Sequence, residues 1–334
     1  MHKIIVAGCG SMSRHWIEFA KGRAGCEIVA LVDSFVDSAR EKQEKYGLDA
    51  RVYGRLAEAL EKEAATLLFD TSPPEAHCEI VTTALSAGLH VFGEKPMSDS
   101  LSDAEAMLKC AERTGKEYFV MQNRRYERGI RELRDFLASK ELGAVGQISA
   151  NFQLNPHFGG FREEMESPLV ADMAIHTFDA ARLICGQNAA SVYCHEWNPS
   201  WSWYLGAANA VCIFEMEGGS VFDYRGSWCA NGLNTTWESE WRITCAEGSV
   251  YWDGGEELYY GKSKAWADKS DTPDIFPIAP VYAPSNGHDA CITEMFETLE
   301  HGRRPQTDCR DNIHSIRMVQ RAIESARTGR KVLL

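Results

Sequence analysis

Six short apolar runs, separated by longer segments of helical period, constrain this chain more than any other feature. The runs are Ile4–Ala7, Ile28–Val32, Arg51–Tyr53, Thr66–Phe69, His90–Phe92 and Tyr118–Met121. Between them, stretches such as Glu75–Ala87 and Ser100–Arg113 repeat apolar residues at helical spacing. A strand covered on both faces reads as an unbroken apolar run, and an amphipathic helix as a 3.6-residue period. Their alternation predicts a doubly wound parallel sheet with helices on both faces.

The pattern changes after Gln122. A helix is expected over Gly129–Ser139 and a strand from Gly146. From Ala189 to Tyr260 the chain reads as successive strands: Ala189–Trp197, Ala208–Glu215, Ser220–Trp228, Glu240–Ala246 and Ser249–Trp252. Turns such as Glu217-Gly218-Gly219 and Glu247-Gly248 join neighbours closely, which implies a large, mostly antiparallel sheet. The stretch Gly261–Ala283 is rich in Pro, Lys and Asp and reads as a long loop. Two helices, about Gly287–Glu300 and Asn312–Thr328, follow it. With 334 residues, two domains are expected, 1–122 and 123–334.

Charge narrows the function. Lys plus Arg number 35 against 48 Asp plus Glu, a net charge of −13. A duplex-binding surface must replace counterions with basic groups, so nucleic acid is not an expected partner. No apolar run reaches membrane-spanning length. The chain enters Ile4–Ala7 with no basic leader or cleavage site, so a cytoplasmic protein is expected. The 11 cysteines never form C-x-x-C, and Cys9, Cys185 and Cys212 lie in apolar stretches. Free buried thiols in a reducing compartment are the expected reading.

Gly8-Cys9-Gly10-Ser11-Met12-Ser13 follows the first expected strand and opens a helix. Gly8 permits a tight turn, Gly10 lets backbone approach a pyrophosphate, and the helix start offers N–H groups to phosphate. Ser13 replaces the third glycine of G-x-G-x-x-G, where a small side chain is tolerated. Asp33, followed by Ser34, ends the second apolar run about 20 residues further on, where a carboxylate accepts from the adenosine ribose. No Arg follows it immediately, so NAD is favoured over NADP. Thr71-Ser72-Pro73-Pro74 follows the fourth strand, at the sheet edge that lines a ligand crevice. Thr71 and Ser72 are candidates for ribose or nicotinamide, and the helix behind them carries His77.

Glu94-Lys95-Pro96 ends the fifth strand at the same edge. A lysine there can bond a substrate hydroxyl and steady a developing alkoxide. In Val170–Asp179, a helix would place Asp172, His176 and Asp179 at i, i+4 and i+7 on one face, with Ala174, Phe178 and Ala181 packing inward. An aspartate beside a histidine can orient the imidazole as a base. The same residue types can also ligate a metal. No further His or Cys stands at ligand spacing, so no metal is expected.

These residues together resemble the Gfo/Idh/MocA oxidoreductases, named for glucose–fructose oxidoreductase and inositol dehydrogenase. The carriers are Val6-Ala7-Gly8-Cys9-Gly10 with His15, Asp33, Thr71-Ser72-Pro73-Pro74 with His77, Glu94-Lys95-Pro96, Asn123-Arg124-Arg125-Tyr126, and Asp172-x-x-x-His176-x-x-Asp179. The resemblance spans nearly the whole chain. It implies a Rossmann domain, then an α/β domain whose open sheet makes a homodimer or homotetramer. It also implies hydride transfer between NAD and a sugar, polyol or cyclitol. Lys95 matches the lysine that bonds the reacting hydroxyl, His176 the acid/base, Asp172 its partner, and Glu94 a residue near the nicotinamide ribose. The expected cofactor contacts come from Gly8, Gly10, Ser11 and Met12, from Asp33 and Ser34, from Thr71, Ser72, Pro73 and His77, and from Glu94, Lys95 and Asn123.

Substrate contacts are expected from Arg124, Asn155, His157, Arg162 and His288. Seven of the 9 tryptophans lie between Trp197 and Trp252. Sheet core or subunit interface accounts for most of them. Trp237, in the loop-like Asn234-Thr235-Thr236-Trp237, is the candidate to stack on a sugar. Without a basic cluster for phosphate, a neutral sugar or cyclitol is expected. Two other functions fit the same motifs: an enzyme that oxidises and re-reduces its own NAD within one cycle, and a non-catalytic NAD- or sugar-sensing regulator.

Overall fold

The structure, a computed structural model, describes residues 1–263, 274–284 and 287–334. By contact density it divides into two units. One comprises Met1–Asn123 and His288–Ile316, the other Arg124–Gly287 and Arg317–Leu334.

In the first unit, strands β1 His2–Ala7, β2 Cys26–Val32, β3 Arg51–Tyr53, β4 Leu67–Asp70, β5 His90–Gly93 and β6 Tyr118–Val120 alternate with helices. These are α1 Ser13–Gly22, α2 Val36–Tyr46, α3 Leu56–Lys62, α4 Pro74–Ser86 and α5 Leu101–Thr114. All six strands are parallel, in the order β3-β2-β1-β4-β5-β6. The order reverses between β1 and β4, which opens a crevice at their carboxyl ends. Ile4, Ile5, Val6, Leu67, Leu68, Phe69, Val91 and Phe92 are fully buried, as strands covered on both faces require.

The chain later returns to this unit, which a contiguous division at 122/123 omits. Helix α9, Gly287–His301, carries Phe296 edge-on against Phe69 and Phe92 at centroid distances of 6.1 and 5.1 Å. Further on, the Val120 N–H donates to the Thr307 carbonyl at 3.0 Å, and Phe119 bridges Asp308, so the outer edge of β6 is paired. Unpaired strand edges invite association, and this short bridge removes one.

The second unit holds a nine-stranded sheet. Its strands are β7 Val145–Gln153, β8 Ala189–Trp197, β9 Asn209–Met216, β10 Val221–Ser227, β11 Glu240–Cys245, β12 Gly248–Trp252, β13 Leu258–Lys262, β14 Asp274–Pro277 and β15 Val332–Leu333. They run in the order β14-β13-β12-β11-β7-β10-β9-β8-β15, antiparallel except for the β7–β10 pair. Burial alternates with period two: Ile148, Ala150 and Phe152 face inward while Gln147 and Ser149 bond Asp223 on the other side. Helices α6 Arg128–Ala138 and α8 Ile175–Cys185 lie on the inward face, where Phe178 meets Phe214 edge-on at 4.8 Å. The last helix is α10, Cys309–Thr328, and a single short turn, α7, spans Phe161–Glu164.

The expected loop over Gly261–Ala283 is a correction. Gly261 and Lys262 end β13, and Asp274–Pro277 pairs with them as β14; residues 264–273 lie outside the described residues. Pro277 obscured the strand in the sequence, but β14 is an edge strand, where a missing N–H is tolerated. No described helix is long and apolar enough to cross a membrane. Among the described cysteines none is bonded. Burial pushes the Cys9 and Cys309 thiols up to about 12, consistent with packing rather than reactivity.

Candidate active site

At the crevice of the first unit, Gly8 has φ +86°, and a Cβ there would lie 2.5 Å from the Ser72 backbone nitrogen. Only glycine lets the β1 and β4 turns meet. A Cβ at Gly10 would meet nothing within 4 Å, so the space beside it is open to a ligand. Ser13 is fully buried and its hydroxyl donates to the Gly10 carbonyl at 2.8 Å, so the departure from glycine is absorbed. Ser11 is exposed and Met12 half-buried at the entry to α1. Asp33 accepts from the Cys9 N–H at 2.7 Å and from the Phe35 N–H at 2.8 Å, which fixes its carboxylate beside the turn.

A cavity of about 400 Å³ runs from this turn, lined among others by Gly8, Asp33, Ser34, Arg55, Ser72 and Pro73. A glycine cradle, open space at the second glycine and an anchored carboxylate on one groove fit a dinucleotide. Arg55 is a groove residue that the sequence reading missed. It follows β3 at the same edge, and only the strand order brings it beside Asp33.

His77 requires correction, and Glu94 has partners within the fold. His77, expected to touch cofactor, is 1% exposed and its Nδ1 lies 2.7 Å from Asp70 Oδ2. The Ser72 hydroxyl donates to Asp70 Oδ1 at 2.5 Å, so His77 and Asp70 hold the Ser72 turn from behind. Burial works against the imidazolium, but the Asp70 charge and hydrogen bond outweigh it and raise the His77 pKa. Glu94, expected at the nicotinamide ribose, is buried and accepts from Trp16 Nε1 at 2.7 Å. Lys95 is half-buried, its N–H donates to Glu94 Oε2 at 3.3 Å, and the Lys95–Pro96 bond is cis. Thr71 donates its hydroxyl to the Gly8 carbonyl, and its N–H to the Ala7 carbonyl at 2.8 Å.

His288, expected among the substrate residues, sits in the first unit on the returning segment. Its ring stacks on His15 at 5.0 Å, and its Nδ1 lies 3.5 Å from Asn123 Nδ2. It therefore groups with a cofactor candidate.

In the second unit, β7 and β10 are parallel and β11 antiparallel to β7. The segment after β7 and the loop joining β10 to β11 therefore share one sheet edge. Asn155, His157 and Arg162 come from the first, Trp237 from the second. Thr177 Oγ1 lies 3.3 Å from Ser239 Oγ, which brings the start of α8, and His176 with it, to the same edge. Asn155 accepts from Asn234 at 3.1 Å, and His157 stacks on Trp203 at 3.7 Å. Arg124 pairs with Glu238 at 2.8 Å and bonds the Trp237 carbonyl. Trp237 is 43% exposed, with Phe158 at 6.2 Å beside it.

The expected Asp172/His176/Asp179 stripe is not a solvated helix face. Leu169–Ala174 forms a π-helical turn, which changes the angular offset before α8 begins. Asp172 accepts from Arg162 Nε at 2.7 Å, and Arg162 lies over the Phe158 and Phe161 rings at 5.3 and 4.8 Å. His176 is 8% exposed. Asp179 is 2% exposed and accepts from Arg125 Nε and Nη2 at 2.6 and 2.7 Å, a bidentate clasp that removes it from the candidate chemistry. Ala174, Phe178 and Ala181 pack inward as expected. No group of three or more His, Cys, Asp or Glu among the described residues is arranged to hold a metal.

Residues 2–122 match the oxidoreductase family with an NAD-binding Rossmann fold, and residues 130–251 match the GFO/IDH/MocA C-terminal domain. D-apiose dehydrogenase of Paraburkholderia graminis is 25% identical over 98% of this chain and 88% of its own. Myo-inositol 2-dehydrogenase of Thermotoga maritima is 28% identical over 57% of both chains. An oxidoreductase from Agrobacterium radiobacter, solved in complex with NAD+, L-tartaric acid and magnesium, has a TM-score of 0.87 at 21% identity, covering 99% of this chain and 98% of that one.

Proposed function

The chain belongs to the Gfo/Idh/MocA oxidoreductases and carries their NAD-binding domain, and from that premise we propose that it moves a hydride between NAD and a secondary hydroxyl or ketone of a sugar, cyclitol or polyol. The observation that carries this reading is Lys95 held at the carboxyl end of β5, on the crevice edge that also presents Gly8 and Ser72. NAD, when bound, supplies the hydride acceptor at its nicotinamide C4.

The chain's own groups divide the remaining work. Gly8 and Gly10 admit the pyrophosphate, and Asp33 bonds the adenosine ribose and opposes a 2′-phosphate. Lys95 bonds the reacting hydroxyl oxygen and steadies its developing negative charge. The imidazole of His176 takes the hydroxyl proton as the C–O bond becomes C=O, and returns it in the reduction. Asp172, its carboxylate fixed by Arg162, favours the imidazolium. Trp237 offers a partly exposed ring to the C–H face of the substrate, rimmed by Asn155, His157 and Arg124. The chain further associates as a homodimer or homotetramer through the outer face of its nine-stranded sheet, where Tyr193 and Ile213 are 44% and 46% exposed; sedimentation as a monomer would refute this.

The test is a panel of polyols and sugars, including myo-inositol and D-apiose, with NADH followed by absorbance. Net NADH from one compound is expected. Lys95→Met should cut turnover about 100-fold or more while NAD still binds, and wild-type turnover in that variant would sink the role of Lys95. Product without net NADH would replace the dehydrogenase with an internal redox cycle.

A further inference from the structure

The lysine turn has a support that the reaction itself does not explain. Trp16 lies one turn into α1, the helix whose amino end meets the phosphate-binding glycines. Its ring is fully buried against Phe69, with centroids 4.9 Å apart, so its indole N–H cannot reach water and needs an acceptor. That acceptor is Glu94 Oε1 at 2.7 Å, and the other oxygen of the same carboxylate accepts the Lys95 N–H at 3.3 Å. The Glu94 backbone N–H donates to the Asp70 carbonyl at 2.8 Å, which fixes the residue at both ends.

A neutral amide would satisfy the indole equally well. A carboxylate buried to 6% exposure carries a desolvation cost that an amide avoids. Burial does push the Glu94 pKa up, opposed by the Trp16 hydrogen bond and by the Lys95 charge. The acid is thus placed on the lysine turn itself, where the Lys95 charge favours its ionised form.

We infer that Trp16 and Glu94 are positioning residues for Lys95, with the indole of α1 aiming the Glu94 carboxylate, which in turn sets the lysine turn. The inference rests on the proposed role of Lys95 and adds the device that aims it. Trp16→Phe removes the indole N–H together with the five-membered ring, which leaves a small cavity at a fully buried site, so Glu94→Gln, which keeps the packing, is read beside it. Loss of the N–H frees the Glu94 carboxylate to rotate and loosens the lysine turn.

The test reads Lys95 directly and needs no knowledge of the substrate. Wild type and Trp16→Phe are acetylated with limiting acetic anhydride at fixed pH, and labelling of Lys95 is measured by mass spectrometry against exposed Lys62 and Lys109. Labelling of Lys95 in Trp16→Phe should rise several-fold while the reference lysines and NAD affinity stay unchanged. Lys95 labelling at or below the wild-type rate overturns the inference. With the best compound of the polyol panel, Trp16→Phe should lose about 10-fold in kcat, the cost of a slightly misaimed group. If Lys95→Met keeps full turnover, the role of Lys95 fails. If Lys95→Met is inactive while Trp16→Phe labels and turns over as wild type, only the positioning fails. Glu94→Gln keeps an acceptor for the indole and is read the same way, alone if Trp16→Phe does not fold, with unchanged labelling and kcat counting against the inference.

Discussion

At the carboxyl ends of β1 and β4, the first unit builds its cradle from backbone: a glycine with φ +86°, a second glycine facing open space, and N–H groups bound by Asp33. The second unit builds its candidate site from side chains aimed by other side chains. Arg162 is set by Asp172, Arg124 by Glu238, and His157 by Trp203. A backbone cradle recognises what all dinucleotides share, and its requirements are local in sequence. A side-chain lattice is free to vary with substrate, and it stands only if the packing beneath it stands.

That difference can be broken at four places. The largest effect is expected beneath the second unit's site. Arg125→Met leaves the buried Asp179 carboxylate with the weaker Arg182 contact at 3.5 Å, and should cost about 3–5 kcal/mol in denaturant unfolding. An unchanged unfolding midpoint would mean that the clasp does not hold α8. Next is Gly8→Ala, whose Cβ would press on the Ser72 backbone. NAD affinity should fall about 100-fold, close to 2.7 kcal/mol, and titration calorimetry at wild-type affinity would show that the turn is not the cradle.

Third is pH. Burial pushes the Glu196 carboxyl, on β8, from 4.5 up to about 7, with the Ser167 hydroxyl bond acting the other way. A raised folded pKa means the fold binds the proton more tightly than the unfolded chain. Stability from this group is fully present below pH 4.5 and lost as pH rises through about 7. Glu196→Gln should therefore raise the melting temperature by a few degrees near about pH 8, and the gain should vanish at acid pH. A gain that is the same at both ends would remove Glu196 as its source. The smallest effect is at the rim: Trp237→Ala should raise the substrate KM about 10-fold, a stacking loss of about 1.4 kcal/mol, with NAD affinity untouched. A changed NAD affinity would erase the division of labour between the units.

The two regions also differed in how far they could be read from the chain. Gly8, Gly10, Asp33 and the Thr71–Pro73 turn were legible because each is a short motif attached to a strand end, and alternation alone orders those strands. The partners of Glu94 and His77 were hidden for a shared reason. Both residues stand at the right place along the chain, but which way a side chain turns is settled by its partners in space: Trp16 for Glu94, and the Asp70 carboxylate for the buried His77. Asp179 was grouped with His176 because ideal helical spacing was assumed, and the π turn at Leu169–Ala174 leaves no signature in residue type. Arg55 and the return of His288 to the first unit follow from strand order and chain path, which no local pattern records.

By itself, the sequence determined the doubly wound sheet, its glycine turn, the antiparallel second sheet and the positions of Lys95 and His176 along the chain. These follow from hydrophobic period and from residues with distinctive backbone freedom, both of which act over a few neighbours. Only the tertiary structure decided which polar groups face a ligand and which are consumed inside. Burying a charge or an indole N–H demands a partner, and the partner is chosen by proximity in space. Glu94 shows the distinction most plainly: its place at the end of β5 is written locally, while its work there is set by Trp16, a residue of the first helix.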